Sequence, residues 1–276
     1  ELVGAAGLGH PRRVVVGEDH RRRVARQRRL DDLARVDAGL RQRAAEQLLA
    51  REQPVLAVEV EPDEDLVRAA GLDFEEQDVW GKKPEYLGSY PPNLTPMLEE
   101  EGLPRGALGE SCAIMAYLCN KHGLEQFYPS DPAKRAMIDN AMFYLIGTFY
   151  PLLTRATYPA LGFPQYPGEV ATSEADDAMK EKAQQDAEAA LAEPLEVYNS
   201  FFLAGQPFIG GDSPSIADFR FAATLEFLRA IDYDFPAWAE EYMSRMEETL
   251  GEAYTEPVAD VRGYIDYVKS EAATTA

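Results

Sequence analysis

The chain has 276 residues, 46% of them hydrophobic and 10% aromatic, with a formal net charge of −21 at pH 7. That is enough chain for two modest domains and enough apolar residue for a packed core, so global disorder is excluded. The acidity argues against nucleic acid and anionic membranes as partners, because both call for a basic surface.

No run of about 18 apolar residues is present to span a bilayer, and the start lacks the charged-then-apolar pattern of an export signal. Two cysteines, Cys112 and Cys119, cannot build a disulfide scaffold, which fits a reducing cytoplasm. The charge is uneven. Residues 1–53 carry twelve arginines, no lysine and eight acids, or +4, while the remainder carries 15 basic residues and 40 acids, or −25. An acid-rich, lysine-poor body suits solubility in high salt and equally an ordinary acidic cytosolic surface.

In chain order, the first 73 residues contain no Phe, Trp or Tyr. From Arg12 to Arg51, the best local expectation is one or two Arg-rich helices, with Asp31, Leu33, Val36 and Leu40 at helical spacing. The segment 1–53 is either a solvated helical extension or the product of a misassigned start or frame. From residue 54 the pattern changes. Residues 54–60, Pro-Val-Leu-Ala-Val-Glu-Val, predict a strand; Asp65 to Ala70 predicts a short helix closed by Gly71. Phe74 to Val79 predicts a second strand and Leu94 to Leu98 a third, with a turn at Glu101-Gly102. A helix is expected from Glu110-Ser111 to His122-Gly123. After Phe127-Tyr128-Pro129-Ser130-Asp131-Pro132 the periodicity is helical to the end, with Pro151 expected to kink the first long helix. Strands followed only by helices divide the chain into 54–128 and 129–276.

Three stretches resemble the cytosolic glutathione transferases, closest to the delta and theta types, across roughly residues 68–255. They are Gly71-Leu72-Asp73-Phe74-Glu75-Glu76; Asn93-Leu94-Thr95-Pro96-Met97-Leu98 with Glu110-Ser111-Cys112-Ala113-Ile114 and Tyr117-Leu118; and Phe208 to Asp218. The resemblance implies a thioredoxin-like N-terminal domain, an all-helical C-terminal domain, glutathione as co-substrate and a symmetric dimer. It also implies site residues. Thr95 and Pro96 fall where the family places a cis proline after a residue that pairs by main chain with the cysteinyl part of glutathione. Asn93 falls at the glycyl end. Glu110 and Ser111 open a helix whose free N–H groups suit the α-carboxylate of a γ-glutamyl group. Phe143, Tyr144, Tyr150 and Tyr158 fall where the family lines its pocket for an apolar electrophile, although ordinary helix core explains any one of them. Ser215 and Asp218 match a capping box, whose role is folding. Between Met97 and Glu110 the chain is a few residues long, with Leu103-Pro104-Arg105-Gly106 as an extra turn.

The catalytic position departs from the family. Such enzymes place a Ser, Tyr or Cys just after the first strand to lower the thiol pKa of glutathione. Here the equivalent residues, Val60-Glu61-Pro62-Asp63-Glu64-Asp65-Leu66, have neither hydroxyl nor thiol, and their carboxylates would raise a neighbouring thiol pKa. His10, His20 and His122 lack metal-ligand spacing, so no metal is expected. His122 ends a helix, where the dipole favours a cation and a capping role. Cys112 and Cys119, seven apart on one helix face, fit core better than a redox pair. The expectation is a glutathione transferase acting by thiolate attack on an apolar electrophile; the alternative is a non-catalytic binding or structural module of the same fold.

Overall fold

The computed structural model describes residues 12–16, 62–78, 96–161 and 177–275. Strands β1 (Arg12–Val16), β2 (Phe74–Asp78), β3 (Met97–Glu99) and β4 (Ala107–Gly109) form one sheet in the order β2-β1-β3-β4. β1 holds an interior slot, antiparallel to β2, with Val14 opposite Glu76, and parallel to β3, with Val14 opposite Leu98. This corrects the helical expectation at residue 12. Three successive valines are stiff at χ1 and favour a pleated strand, and two neighbours satisfy the backbone. The strand expected at 54–60 and the helical spacing from Asp31 to Leu40 lie outside the described residues.

Helix α1 (Pro62–Ala69) begins three residues earlier than expected, with its proline at the first position, where a missing N–H costs nothing. It ends where Gly71 turns to φ +64 and the Leu72 N–H bonds the Val67 carbonyl at 2.9 Å. β3 and β4 pair Met97 with Gly109. The extra turn foreseen at Leu103–Gly106 is the loop of this hairpin, with Gly106 at φ +74 and its N–H on the Leu103 carbonyl. Helix α2 (Ser111–His122) follows and stops at Gly123, in the left-handed region with its N–H on the Cys119 carbonyl. That backbone bond supplies the cap that the sequence assigned to His122. The His122 pKa is lowered, first by burial and then by the neighbouring Lys121, against the pull of the helix dipole.

The second half is helical. α3 (Pro132–Tyr144) is capped by Asp131, whose side chain accepts the Lys134 N–H at 2.9 Å. A π-helical turn, Leu145–Phe149, joins it to α4 (Tyr150–Thr157), which has Pro151 in its first turn. Pro151 has no N–H for the preceding turn, and the expected kink takes the form of this wider turn. Next come α5 (Asp177–Ala190), α6 (Ala192–Val197) and a second π turn, Tyr198–Leu203. Helix α7 (Ile216–Glu226) is buried at all of its positions and runs into a 3-10 turn, Phe227–Ile231. α8 (Ala237–Leu250) and α9 (Glu252–Thr275) complete the described chain. α7 touches α1, α2, α3, α8 and α9, so it joins the sheet half to the helical half. A helix buried all round has no solvent face to fill, which explains its run of Phe219, Phe221, Ala222, Ala223 and Leu225.

Candidate functional site

The pairing of Met97 with Gly109 puts Pro96, just before β3, and Glu110, just after β4, at the same end of the hairpin. Pro96 is buried, Glu110 is exposed and Ser111 is 4% exposed. Glu110 stands at φ 67, ψ 110, an uncommon conformation for a side-chain-bearing residue, and its side chain does not cap α2. Its carbonyl accepts from the N–H groups of Ala113 and Ile114, both at 2.9 Å. The first N–H groups of any helix have no acceptor inside it, so this corner presents donors and a positive dipole end. Asn93 and Thr95 lie outside the described residues.

α1 takes up the acidic stretch that the sequence placed beside the missing catalytic residue. Glu64 is 2% exposed and receives the Arg68 guanidinium at 2.7 Å. Arg68 also reaches Glu256 of α9 at 2.8 Å and lies 5.5 Å from the Phe74 ring centroid. Asp65 is fully buried. These acids therefore belong partly to the packing between α1 and the helical half. No Ser, Thr, Tyr or Cys precedes Tyr86 in the whole sequence.

The four aromatic residues expected to line a pocket fall in three surroundings. Phe143 is 74% exposed on the outer face of α3. Tyr144 packs edge-on against Tyr198 and against Phe202. Tyr150 and Tyr158 are half-buried, and their hydroxyls meet at 3.1 Å. The Arg220 guanidinium, 3% exposed on α7, lies 5.1 Å from the Tyr150 ring centroid. Tyr198 stacks on Phe221 at 3.7 Å and donates to the Ala141 carbonyl at 2.8 Å. Its pKa stands well above the ordinary value, mainly through burial, with Cys112 adding to the rise and Arg220 opposing it. Sequence reasoning passed over Arg220, although an arginine within Ile-Ala-Asp-Phe-Arg-Phe-Ala-Ala is a visible signal that a buried charge has a task.

At the start of α7, Ser215 and Asp218 form the reciprocal capping box. Asp218 is fully buried and its carboxylate accepts from the N–H groups of Ile209, Gly210 and Ser215, at 2.7, 3.0 and 2.7 Å, and from the Tyr242 hydroxyl at 2.9 Å. Burial raises its pKa, partly offset by those donors. At the other end Glu226, also fully buried, receives Arg229, Arg262 and the Tyr254 hydroxyl. Cys119 is buried, which pushes its thiol up to about 12, and Cys112 is half-buried; neither is in a disulfide.

Residues 181–248 match the family model for the glutathione S-transferase C-terminal domain. Among solved structures, the fold is similar to a Bombyx mori glutathione transferase, at 25% identity over 76% of this chain and 91% of that one, with a TM-score of 0.55. It is similar to a delta-class glutathione transferase of Nilaparvata lugens, at 24% identity over 76% and 94% of the two chains, with a TM-score of 0.55. Human glutathione transferase theta-2, solved with glutathione and an unknown ligand, gives 21% identity, 76% and 86% coverage and a TM-score of 0.61.

Proposed function

From the glutathione-transferase fold that this chain has, with its likeness to the delta and theta classes, we propose that it binds glutathione and transfers it to an apolar electrophile by thiolate attack. The observation that carries this is the hairpin corner, where Pro96 and Glu110 flank the donor-bearing start of α2. In this assignment the N–H groups of Ser111 and Cys112 and the Ser111 hydroxyl take the γ-glutamyl carboxylate. Glu110 takes the ammonium, the main chain at Thr95-Pro96 takes the cysteinyl amide, and Asn93 takes the glycyl end. Support comes from the related folds solved with glutathione, the human theta-2 protein and a Sulfitobacter homolog. Tyr144, Tyr150 and Tyr158 supply apolar and polar wall for the electrophile. The exposed face of Phe143, Ile146 and Met137 suits a homodimer contact better than a pocket wall. A boundary near residue 129 and a cytoplasmic location complete the proposal.

One observation favours a non-catalytic binding module. A hydroxyl or thiol is absent from the first 85 residues, so the ordinary source of thiol activation is missing. Calorimetric titration with glutathione and with its serine analogue separates the two readings. Binding of both, with proton release for the thiol alone, supports a transferase. Equal binding without proton release supports the module, and no binding by either overturns the site.

A further inference from the structure

A cleft of about 620 Å3 opens between the end of the 3-10 turn, α8 and α9, and shares no residue with the hairpin corner. A volume in this range suits a small organic ligand. One wall is aromatic: Tyr233 and Phe235, from the loop after the turn, meet edge-on at 5.4 Å, and Ile265 of α9 adds to it.

The cations of the cleft lie deep. Arg229 and Arg262 both give their Nε–H to Oε2 of Glu226, at 2.7 and 2.9 Å, so the two guanidinia stand side by side on a carboxylate with no exposed surface. Arg262 adds an Nη2 bond to Oε1 at 2.8 Å, and Arg229 turns its Nη2 to the Met243 sulfur at 3.9 Å. Each keeps an Nη1 group with no bond among the described residues, and a guanidinium has five N–H donors to place. Lys269 bonds the Arg229 carbonyl and Asp232, which uses two of its three donors. These three side chains are partly buried, whereas the acids of the cleft, Asp232, Glu240, Glu247 and Asp266, are exposed. The floor is therefore cationic and the rim anionic.

That order selects the ligand class. Three bases and four acids line the cleft, so a simple anion enters against net repulsion. A simple cation meets Arg229, Arg262 and Lys269 at the floor. A molecule with one carboxylate and one ammonium satisfies both levels, with the carboxylate on the guanidinium donors and the ammonium among the rim acids. An apolar side chain between them covers the Tyr233 and Phe235 rings. One amino acid would leave much of the cleft to water, and a peptide of about two or three residues fills it better.

We propose that this cleft is a second ligand site, which takes a short zwitterionic peptide with an aromatic side chain. The proposal goes beyond the glutathione reading and stands independently of it.

The test titrates the full chain calorimetrically with alanyl-phenylalanine, with its C-terminal amide and with its N-acetyl form. The parent dipeptide is expected to bind. The amide loses the carboxylate and is expected to bind at least about tenfold more weakly, the effect of a lost hydrogen bond to a charged group. It does so although the net charge of −21 favours a cationic ligand. The N-acetyl form loses an exposed ion pair and is expected to bind about threefold more weakly. Lys269→Met, and Glu240→Gln combined with Asp266→Asn, each lower affinity for the dipeptide by about threefold or more and leave any glutathione binding as in the wild type. The Glu240 and Asp266 changes alter only exposed side chains, so they place the site even where Lys269→Met does not fold. No binding of the dipeptide by the wild type, undiminished binding of either blocked form, or unchanged affinity in the folded variants overturns the proposal. Displacement of the dipeptide by glutathione in simple competition overturns it as well, by placing both at the hairpin corner. A wild type that binds the dipeptide but no glutathione overturns the transferase reading alone.

Discussion

Two residues flanking the start of α7 illustrate how much stability one position can hold. Asp218 satisfies three backbone donors and a tyrosine hydroxyl inside a buried region. Asp218→Ala strands those donors, and each buried orphan costs about 1–3 kcal/mol. Partial relaxation reduces the sum, so a loss of roughly 3 kcal/mol is expected, above the ordinary cap range of about 0.5–2 kcal/mol. Chemical denaturation measures it, and a loss under about 1 kcal/mol contradicts a role for the buried network beyond the cap. Gly210 is constrained differently. A Cβ there would lie 2.4 Å from the Ser213 carbonyl oxygen and 3.0 Å from the Ser215 nitrogen. Both neighbours are backbone, so the loop itself must move, and Gly210→Ala is expected to destabilise by about 1–3 kcal/mol. Gly211→Ala is the informative comparison, since nothing stands within 4 Å there and only its φ of +101 is strained. If Gly210→Ala melts at the wild-type temperature, the close approach is not a real constraint. The Ser-Ile-Ala-Asp pattern was legible in sequence because a capping box is local. The donors from Ile209 and Gly210 and the Tyr242 hydroxyl were not, because they depend on how the preceding loop and α8 pack.

At the scale of elements, α9 is held at two places of unequal strength. Arg262 on α9 meets Glu226 on α7, a carboxylate with no exposed surface, at 2.8 Å. Lys269 on the same helix meets Asp232, whose side chain is 86% exposed, and such a pair is worth about 0–1 kcal/mol. The buried pair dominates. Burial pushes the Glu226 carboxyl up, but its bonds to Arg262 and Arg229 outweigh this and leave it below its ordinary value of 4.5. A lowered folded pKa means that the contribution is full above the unfolded value and is lost as pH falls through the folded one. The wild type should therefore lose stability on acidification below about pH 4.5, and Glu226→Gln should lose less over the same interval. Parallel pH profiles for the two proteins would show that Glu226 is not linked to folding. The same scale explains β1. Val14-Val15-Val16 has strand propensity, yet its slot between β2 and β3 is fixed by long-range pairing that no local window contains.

For the whole molecule, net charge is the dominant electrostatic influence. The sequence carries 48 acids against 27 basic residues, and several of the basic ones are committed to buried carboxylates, as Arg229 and Arg262 are to Glu226. Exposed pairs such as Lys182–Asp186 add little and weaken in salt. Net self-repulsion acts over about 10 Å at 0.1 M salt but only about 3 Å at 1 M. Added sodium chloride should therefore raise the melting midpoint across that range, because screening relieves more repulsion than it removes attraction. A midpoint that stays level or falls would mean that the specific ion pairs outweigh the net charge. No helix among the described residues is long and apolar enough to cross a membrane.

The sequence by itself determined the order of strands then helices, the start of α2 at Ser111, its stop at Gly123 and the capping box at Ser215 and Asp218. Each of these is set by the conformational preference or hydrogen-bonding reach of a few adjacent residues. Only the tertiary structure decided that Arg12–Val16 enters the sheet, that Glu64 of α1 meets Arg68, which also reaches Glu256 of α9, and that Tyr150 meets both Tyr158 and Arg220. Those outcomes depend on which distant surfaces bury one another, and the energy of that burial is written in no single stretch of chain.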